Sequence, residues 1–170
     1  SSKHHPAEPL YREADARASL AHLHGVAFDR VFQPAPGVHA RFRMQGHILG
    51  AAAATLEFEG RRITFSGDLG RPHDPLMPAP AALAESDWVV VESTYGNRTH
   101  PAEAPDEELL AVLRRVIARR GVVVIPAFAV GRAQMLLHVI TQLQETGQLA
   151  RVPVYLNSPL GEAALRVFKA

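Results

Sequence analysis

The 170 residues contain no cysteine. That excludes disulfides and every thiolate metal site, so a transition metal here would be held by His nitrogen and carboxylate oxygen. Lysine is nearly absent as well: all but two of the eighteen basic residues, Lys3 and Lys169, are Arg. We take this as a compositional bias with little functional content. Neither charge sign dominates. The formal net charge is +1, so no global field advertises a polyanionic partner, although a local cleft can be basic while the total is not. No apolar run reaches the ~20 residues of a membrane span. No signal-peptide pattern opens the sequence, so the expected setting is the cytoplasm, without a membrane. Repeats and low-complexity tracts are also missing. What is present is a 47% hydrophobic, 21% charged composition with nine histidines, the balance of a folded globular chain. By length alone, it would be one domain.

Periodicity divides the chain. Residues 1–10 carry no pattern and read as an arriving loop, with His4 and His5 a surface pair. Residues 13–24 have helical spacing of alanines and leucines, closed by Gly25. A short strand is expected over 28–33 and a turn over 34–37. From Val38 the period becomes two: Val38, Ala40, Phe42 and Met44 alternate with His39, Arg41 and Arg43, as in a half-buried strand. Residues 55–59 and 62–66 around Gly60 predict a hairpin, and the prolines of 71–80 predict a loop. Residues 88–91 form a continuous apolar run suited to a strand covered on both faces. Beyond Gly96 the style changes to helix 106–120, strand 122–125, helix 131–146, strand 152–156 and a helix starting near Pro159. Gly121 would end the first of these helices, and Ala133, Leu136, Leu137, Ile140 and Leu143 would face inward on the second. That alternation implies parallel strands joined by crossover helices.

Three segments share one design, a strand end followed by a polar residue beside glycine or another small residue: Gln45-Gly-His-Ile-Leu-Gly50, Phe65-Ser-Gly-Asp-Leu-Gly70 and Val91-Glu-Ser-Thr-Tyr-Gly96. Glycine at such places lets the backbone turn sharply and approach an ion closely. If these strand ends converge, His47, Asp68 and Glu92 offer one imidazole and two carboxylates, a donor set suited to zinc, manganese or iron. Each has a plainer reading. His47 can be a turn histidine, Asp68 an Asx-turn residue and Glu92 a carboxylate that meets solvent. Arg132 near a helix N-terminus can meet phosphate or form a surface salt bridge. Ser158 can donate to phosphate or cap the helix that follows.

Joined in order, the segments are more specific. Gly-His-Ile-Leu-Gly, Ser-Gly-Asp-Leu-Gly-Arg, Val-Glu-Ser-Thr-Tyr-Gly-Asn-Arg, Ile-Pro-Ala-Phe-Ala-Val-Gly-Arg-Ala-Gln and Val-Tyr-Leu-Asn-Ser-Pro-Leu together resemble the β-CASP branch of the metallo-β-lactamase superfamily. Within that branch the sequence looks most like the bacterial and archaeal RNA-processing exonuclease group. The resemblance runs from about Pro9 to the C-terminus. It implies an α/β fold: residues 1–95 as the C-terminal portion of the first metallo-β-lactamase segment, an αββα sandwich, and 96–170 as the start of a parallel-sheet β-CASP domain. It also implies a zinc-dependent ribonuclease acting on single-stranded RNA, with a homodimer as a candidate assembly. In such enzymes two zinc ions hold a bridging hydroxide that attacks phosphorus. His47 would ligate one zinc, Asp68 would bridge both, and Glu92 would support a histidine that protonates the leaving oxygen. Arg132 and Ser158 would face substrate. Asn157 stands where the family usually has Asp, and Gln45 where it usually has Ala.

The family's main metal motif, His-x-His-x-Asp-His, does not occur in the sequence. His22-Leu-His24 lacks the Asp-His pair and lies on the expected first helix. The chain therefore supplies two of the expected ligands. It reads as an incomplete catalytic core of a longer enzyme, inactive alone, with zinc absent or only partly bound. The alternative is a catalytically inactive subunit of the same fold that binds RNA or protein. An incomplete sandwich is further expected to leave unpaired strand edges and an uncovered apolar face.

Overall fold

A computed structural model describes residues 9–99 and 105–170. His4 and His5 lie outside the described residues. The ordered path begins with α1 (Glu13–Ser19) and a 3₁₀ turn at Leu20–His22. The helix is shorter than the spacing predicts, and neither piece buries a residue. Its apolar side chains are not buried among the described residues, and packing rather than propensity sustains most helices.

Five strands follow, β1 (Val31–Ala35), β2 (Val38–Met44), β3 (Ala52–Phe58), β4 (Arg61–Phe65) and β5 (Trp88–Val90). They form one sheet in that order. The first four are antiparallel, and β5 joins β4 in parallel. Alternation places β2 as expected, with Ala40 buried and His39 and Arg41 exposed. The expected turn at 34–37 is tighter: Ala35 pairs with Val38, so Pro36 and Gly37 alone connect the strands. Pro34 can sit inside β1 because an edge strand tolerates a missing N–H. The second hairpin is the predicted one. Phe58 faces Arg61, and the two residues between them, Glu59 and Gly60, take φ of 48° and 72°. Two consecutive left-handed residues make the turn whose twist matches a hairpin.

Direct cross-strand partners share a face. On one face Thr55 and Thr64, both buried, share a hydroxyl hydrogen bond of 3.0 Å, and Thr64 meets the Ser86 hydroxyl at 2.7 Å. The proline-rich chain between β4 and β5 returns along this face. The Arg43 guanidinium bonds the Ala82 carbonyl, and Arg62 donates to the Glu85 carbonyl at 2.8 Å. The other face carries Phe32 against Phe42, with ring centroids 5.1 Å apart, and continues through Leu56, Ile63 and Trp88. The sheet's β5 end corrects one expectation. Trp88, Val89 and Val90 are 47%, 59% and 50% exposed, so β5 is uncovered on both faces. Among the described residues its one strand neighbour is β4, and the Arg61 guanidinium lies over the Trp88 ring, 5.4 Å from its centroid. Exposed apolar side chains thus line this end of the sheet.

The second part holds α2 (Pro105–Ala118), α3 (Arg132–Glu145) and α4 (Pro159–Phe168). At the end of α2 the left-handed residue is Arg120, with φ 56°, one position before the expected stop. Gly121 is needed next because a Cβ there would lie 2.8 Å from Val116 Cγ1. Leu113 of α2 packs on Val139, Ile140 and Leu143 of α3 and on Leu149, and these buried residues form the core of this part. Gln134 and Val139 are buried on α3, where the spacing favours Leu136 and Leu137.

The expected strands 122–125 and 152–156 do not form. The five-stranded sheet is the only one among the described residues, and Val122, Val124 and Tyr155 are more than four-fifths exposed. A parallel strand needs neighbours on its edges and cover on both faces. Here Val123 packs against the helix core while Val122 and Val124 stay exposed. Among the described residues no helix is long and apolar enough to cross a membrane. Because Leu143 is buried in this core, Leu143→Ala should cost about 2–5 kcal/mol. A urea denaturation midpoint reads that loss, and an unchanged midpoint would place the core elsewhere.

Candidate active site

The three glycine-flanked segments all emerge from one end of β2, β4 and β5, and their backbones touch. After β2, Gln45 donates to the Ala51 carbonyl at 2.9 Å and Ala51 to that of Ile48 at 3.0 Å, closing a loop around His47. Gly46 has φ 63°, and a Cβ there would lie 2.0 Å from the Pro78 carbonyl oxygen. After β4, the Gly70 N–H donates to the Gln45 carbonyl at 2.8 Å. A Cβ on Gly70 would lie 2.4 Å from the Gly46 carbonyl carbon and oxygen. Only glycine at position 70 leaves room for this contact. The loops that carry His47 and Asp68 are therefore packed backbone to backbone.

The third segment is tied to the second by Ser66 and Glu92. The Glu92 N–H donates to Ser66 Oγ at 3.0 Å, and Ser66 Oγ donates to the Gly67 carbonyl at 2.7 Å. The Glu92 carboxylate then takes the Leu69 N–H on Oε1 and the Thr94 N–H on Oε2, each at 3.2 Å. Its pKa is lowered, first by the Thr94 hydroxyl and then by the amides of Leu69 and Thr94, with His47 adding a smaller attraction. Glu92 is thus held ionised beside the Asp68 turn and braces it. His47 and Asp68 themselves are exposed, and their side chains make no hydrogen bond or ion pair to described residues.

The donor set can be tested against the two zinc ions that the resemblance implies. His47 and Asp68 give two donors, and the Glu92 oxygens are already engaged by Leu69 and Thr94. A catalytic zinc needs three protein ligands. Among the described residues no three His, Asp or Glu side chains are grouped to hold a metal ion. The described residues therefore do not by themselves fit the zinc pair.

Arg132 and Ser158 lie in the second part. Gly131, with φ 82°, starts α3, and a Cβ on it would stand 3.0 Å from Ile48 Cγ2. This puts the first turn of α3, with exposed Arg132, beside the His47 loop. Ser158 caps α4, its Oγ accepting the Gly161 N–H at 3.0 Å. Capping uses an oxygen lone pair and leaves the hydroxyl hydrogen for another acceptor. Asn157 is exposed. Gln45 is buried, and its carboxamide donates to the carbonyls of Arg43 and Ala81 at 3.4 and 3.3 Å. It thereby holds the proline-rich loop against β2. Two further residues take part that sequence reasoning left without a role, Ser66 and Gln134. Both are polar residues within quoted segments, yet neither motif distinguishes a buried polar side chain from an exposed one.

No family model matches the chain. Ribonuclease TTHA0252 of Thermus thermophilus is 33% identical over 162 residues, which cover 95% of this chain and 37% of that protein. An RNase J-like protein of Methanocaldococcus jannaschii is 32% identical over 154 residues, 88% of this chain and 37% of its own length. The cleavage and polyadenylation specificity factor 73 of Drosophila melanogaster is 31% identical over 163 residues, 94% of this chain and 24% of its own. The chain thus spans between a quarter and two fifths of these relatives while aligning along most of its own length. With the ordered glycine-flanked segments meeting at one edge, this similarity makes the chain a member of the β-CASP branch of the metallo-β-lactamase superfamily.

Proposed function

We propose that the chain is part of the catalytic core of a ribonuclease that hydrolyses phosphodiester bonds in single-stranded RNA. In this reading residues 1–95 belong to a metallo-β-lactamase αββα sandwich and residues 96–170 open a β-CASP domain. The observation that carries it is the backbone contact at Gly46 and Gly70 between the loop of His47 and the loop of Asp68, with Gly131, ahead of Arg132, against Ile48. Relatives named as ribonucleases support the same chemistry.

His47 and Asp68 are two members of a ligand set completed by residues other than those described. Zinc bound there would supply Lewis acidity and a hydroxide available at neutral pH. Glu92 holds the Asp68 turn through the Leu69 amide, and Arg132 and the Ser158 hydroxyl engage phosphate oxygens at helix N-termini. The two-donor set also favours a second reading, a subunit of this fold that binds RNA without cleaving it.

The test uses the full-length protein that carries these residues and an end-labelled single-stranded RNA. Discrete shortening of the RNA is expected, lost on chelation and restored by zinc. Binding without cleavage would select the second reading, and neither binding nor cleavage would reject both.

A further inference from the structure

Gln134 is almost wholly buried, 2% exposed, in the first turn of α3. Its side-chain nitrogen donates to the Ala129 carbonyl at 2.9 Å and to the Gly161 carbonyl at 3.0 Å. Only an NH₂ group can serve two carbonyl oxygens at once, so the orientation of the amide is settled by its neighbours. The Ala129 carbonyl lies just ahead of α3, and Gly161 lies in the first turn of α4. The same Gly161 gives its N–H to the Ser158 oxygen at 3.0 Å. A Cβ on its α-carbon would be a tight fit, 3.1 Å from Ser158 Cβ. One carboxamide therefore joins the turn that carries Arg132 to the turn that carries Ser158. Its own oxygen, Oε1, has no partner among the described residues. A buried polar atom left so costs stability, and a hydrophobic residue of similar size would avoid that cost.

We infer that Gln134 is a positioning residue for RNA binding. Its amide sets the spacing of the α3 and α4 N-termini, so that the Arg132 guanidinium and the Ser158 hydroxyl meet the same phosphate chain. This rests on the proposed role of Arg132 and Ser158 in binding substrate. It goes beyond that role by naming the group that aligns them. Gln134 touches neither substrate nor reacting atoms and acts through the two turns it joins.

The test compares the full-length protein with Gln134→Met, Gln134→Glu, Arg132→Ala and the double variant Arg132→Ala/Gln134→Met, using steady-state cleavage of a single-stranded RNA. Gln134→Met keeps the volume and removes both hydrogen bonds. Gln134→Glu keeps the shape and turns a carboxylate toward two carbonyl oxygens. Each single Gln134 variant is expected to raise KM about tenfold with kcat within about threefold, the split that marks lost binding rather than lost active enzyme. Adding Gln134→Met to Arg132→Ala should then raise KM by much less than tenfold, because the two act through one contact. A fall in kcat with KM unchanged would mean a purely structural residue and would overturn the inference, as would full additivity with Arg132→Ala. If Gln134→Met does not fold, the Gln134→Glu values decide in the same way. A wild-type protein that neither binds nor cleaves the RNA would instead reject the ribonuclease reading itself, which separates the two failures.

Discussion

Asp68→Asn in the full-length protein is expected to lower RNA cleavage by about 10³-fold or more, because a metal-held hydroxide and its charge stabilisation are worth several kcal/mol. His47→Ala should do the same. Neither change should alter the fold. Both side chains are exposed and make no hydrogen bond or ion pair to described residues, and substitutions of that kind shift stability by about 0.5 kcal/mol at most. The combination is diagnostic, since an exposed carboxylate without structural partners has no reason to matter unless it meets a ligand. Paired measurements of cleavage rate and thermal midpoint check it. Full activity in Asp68→Asn would remove Asp68 from the site.

Gly70→Ala is expected to fail in the opposite way, through the fold. The new methyl carbon would stand 2.4 Å from Gly46 backbone atoms and 2.6 Å from the Gln45 carbonyl oxygen. Backbone cannot swing aside as a flexible side chain can. The two loops would have to separate, breaking the Gly70 to Gln45 hydrogen bond of 2.8 Å. A cost of about 3 kcal/mol or more follows from strain and a lost buried bond together. Loss of cleavage should accompany it, because His47 and Asp68 sit on the loops that part. Gly25→Ala is the control: a Cβ at Gly25 meets nothing within 4 Å, and its effect should stay within about 0.5 kcal/mol. Chemical denaturation of both variants reads the difference. Equal stability would show that the loops are not in contact.

Much of the local structure was legible in the sequence. Alternation at residues 38–44 marks β2 because Ala40 packs while His39 and Arg41 stay exposed. Gly60 marks the β3–β4 turn because two left-handed residues are needed there. Ser158-Pro159 marks the start of α4, since serine caps and proline suits the first turn. The apolar runs were the weak point. Val122–Ile125 and Trp88–Val91 have the composition of buried strands, yet composition states only that burial would be favourable. It does not supply the neighbour. Among the described residues β5 has one strand partner and stays about half exposed, and residues 122–125 have no strand partner. Helix α1 is shorter than its spacing for the same reason.

The candidate site divides along similar lines. Residue types and their order, Gly-His, Ser-Gly-Asp, Val-Glu-Ser-Thr and Gly-Arg-Ala-Gln, belong to the sequence and identify the family. So does the count of donors, because no His-x-His-x-Asp-His is present to add to His47 and Asp68. Their meeting belongs to the tertiary structure. It depends on Gly46 and Gly70 lying flat on each other, on Glu92 reaching the Leu69 amide, and on Gly131 admitting Ile48. The fold also turned Gln134 from one helix position among many into the link between two helix N-termini. Such contacts join residues far apart in the chain, and a local pattern carries no information about what lies across the space beside it.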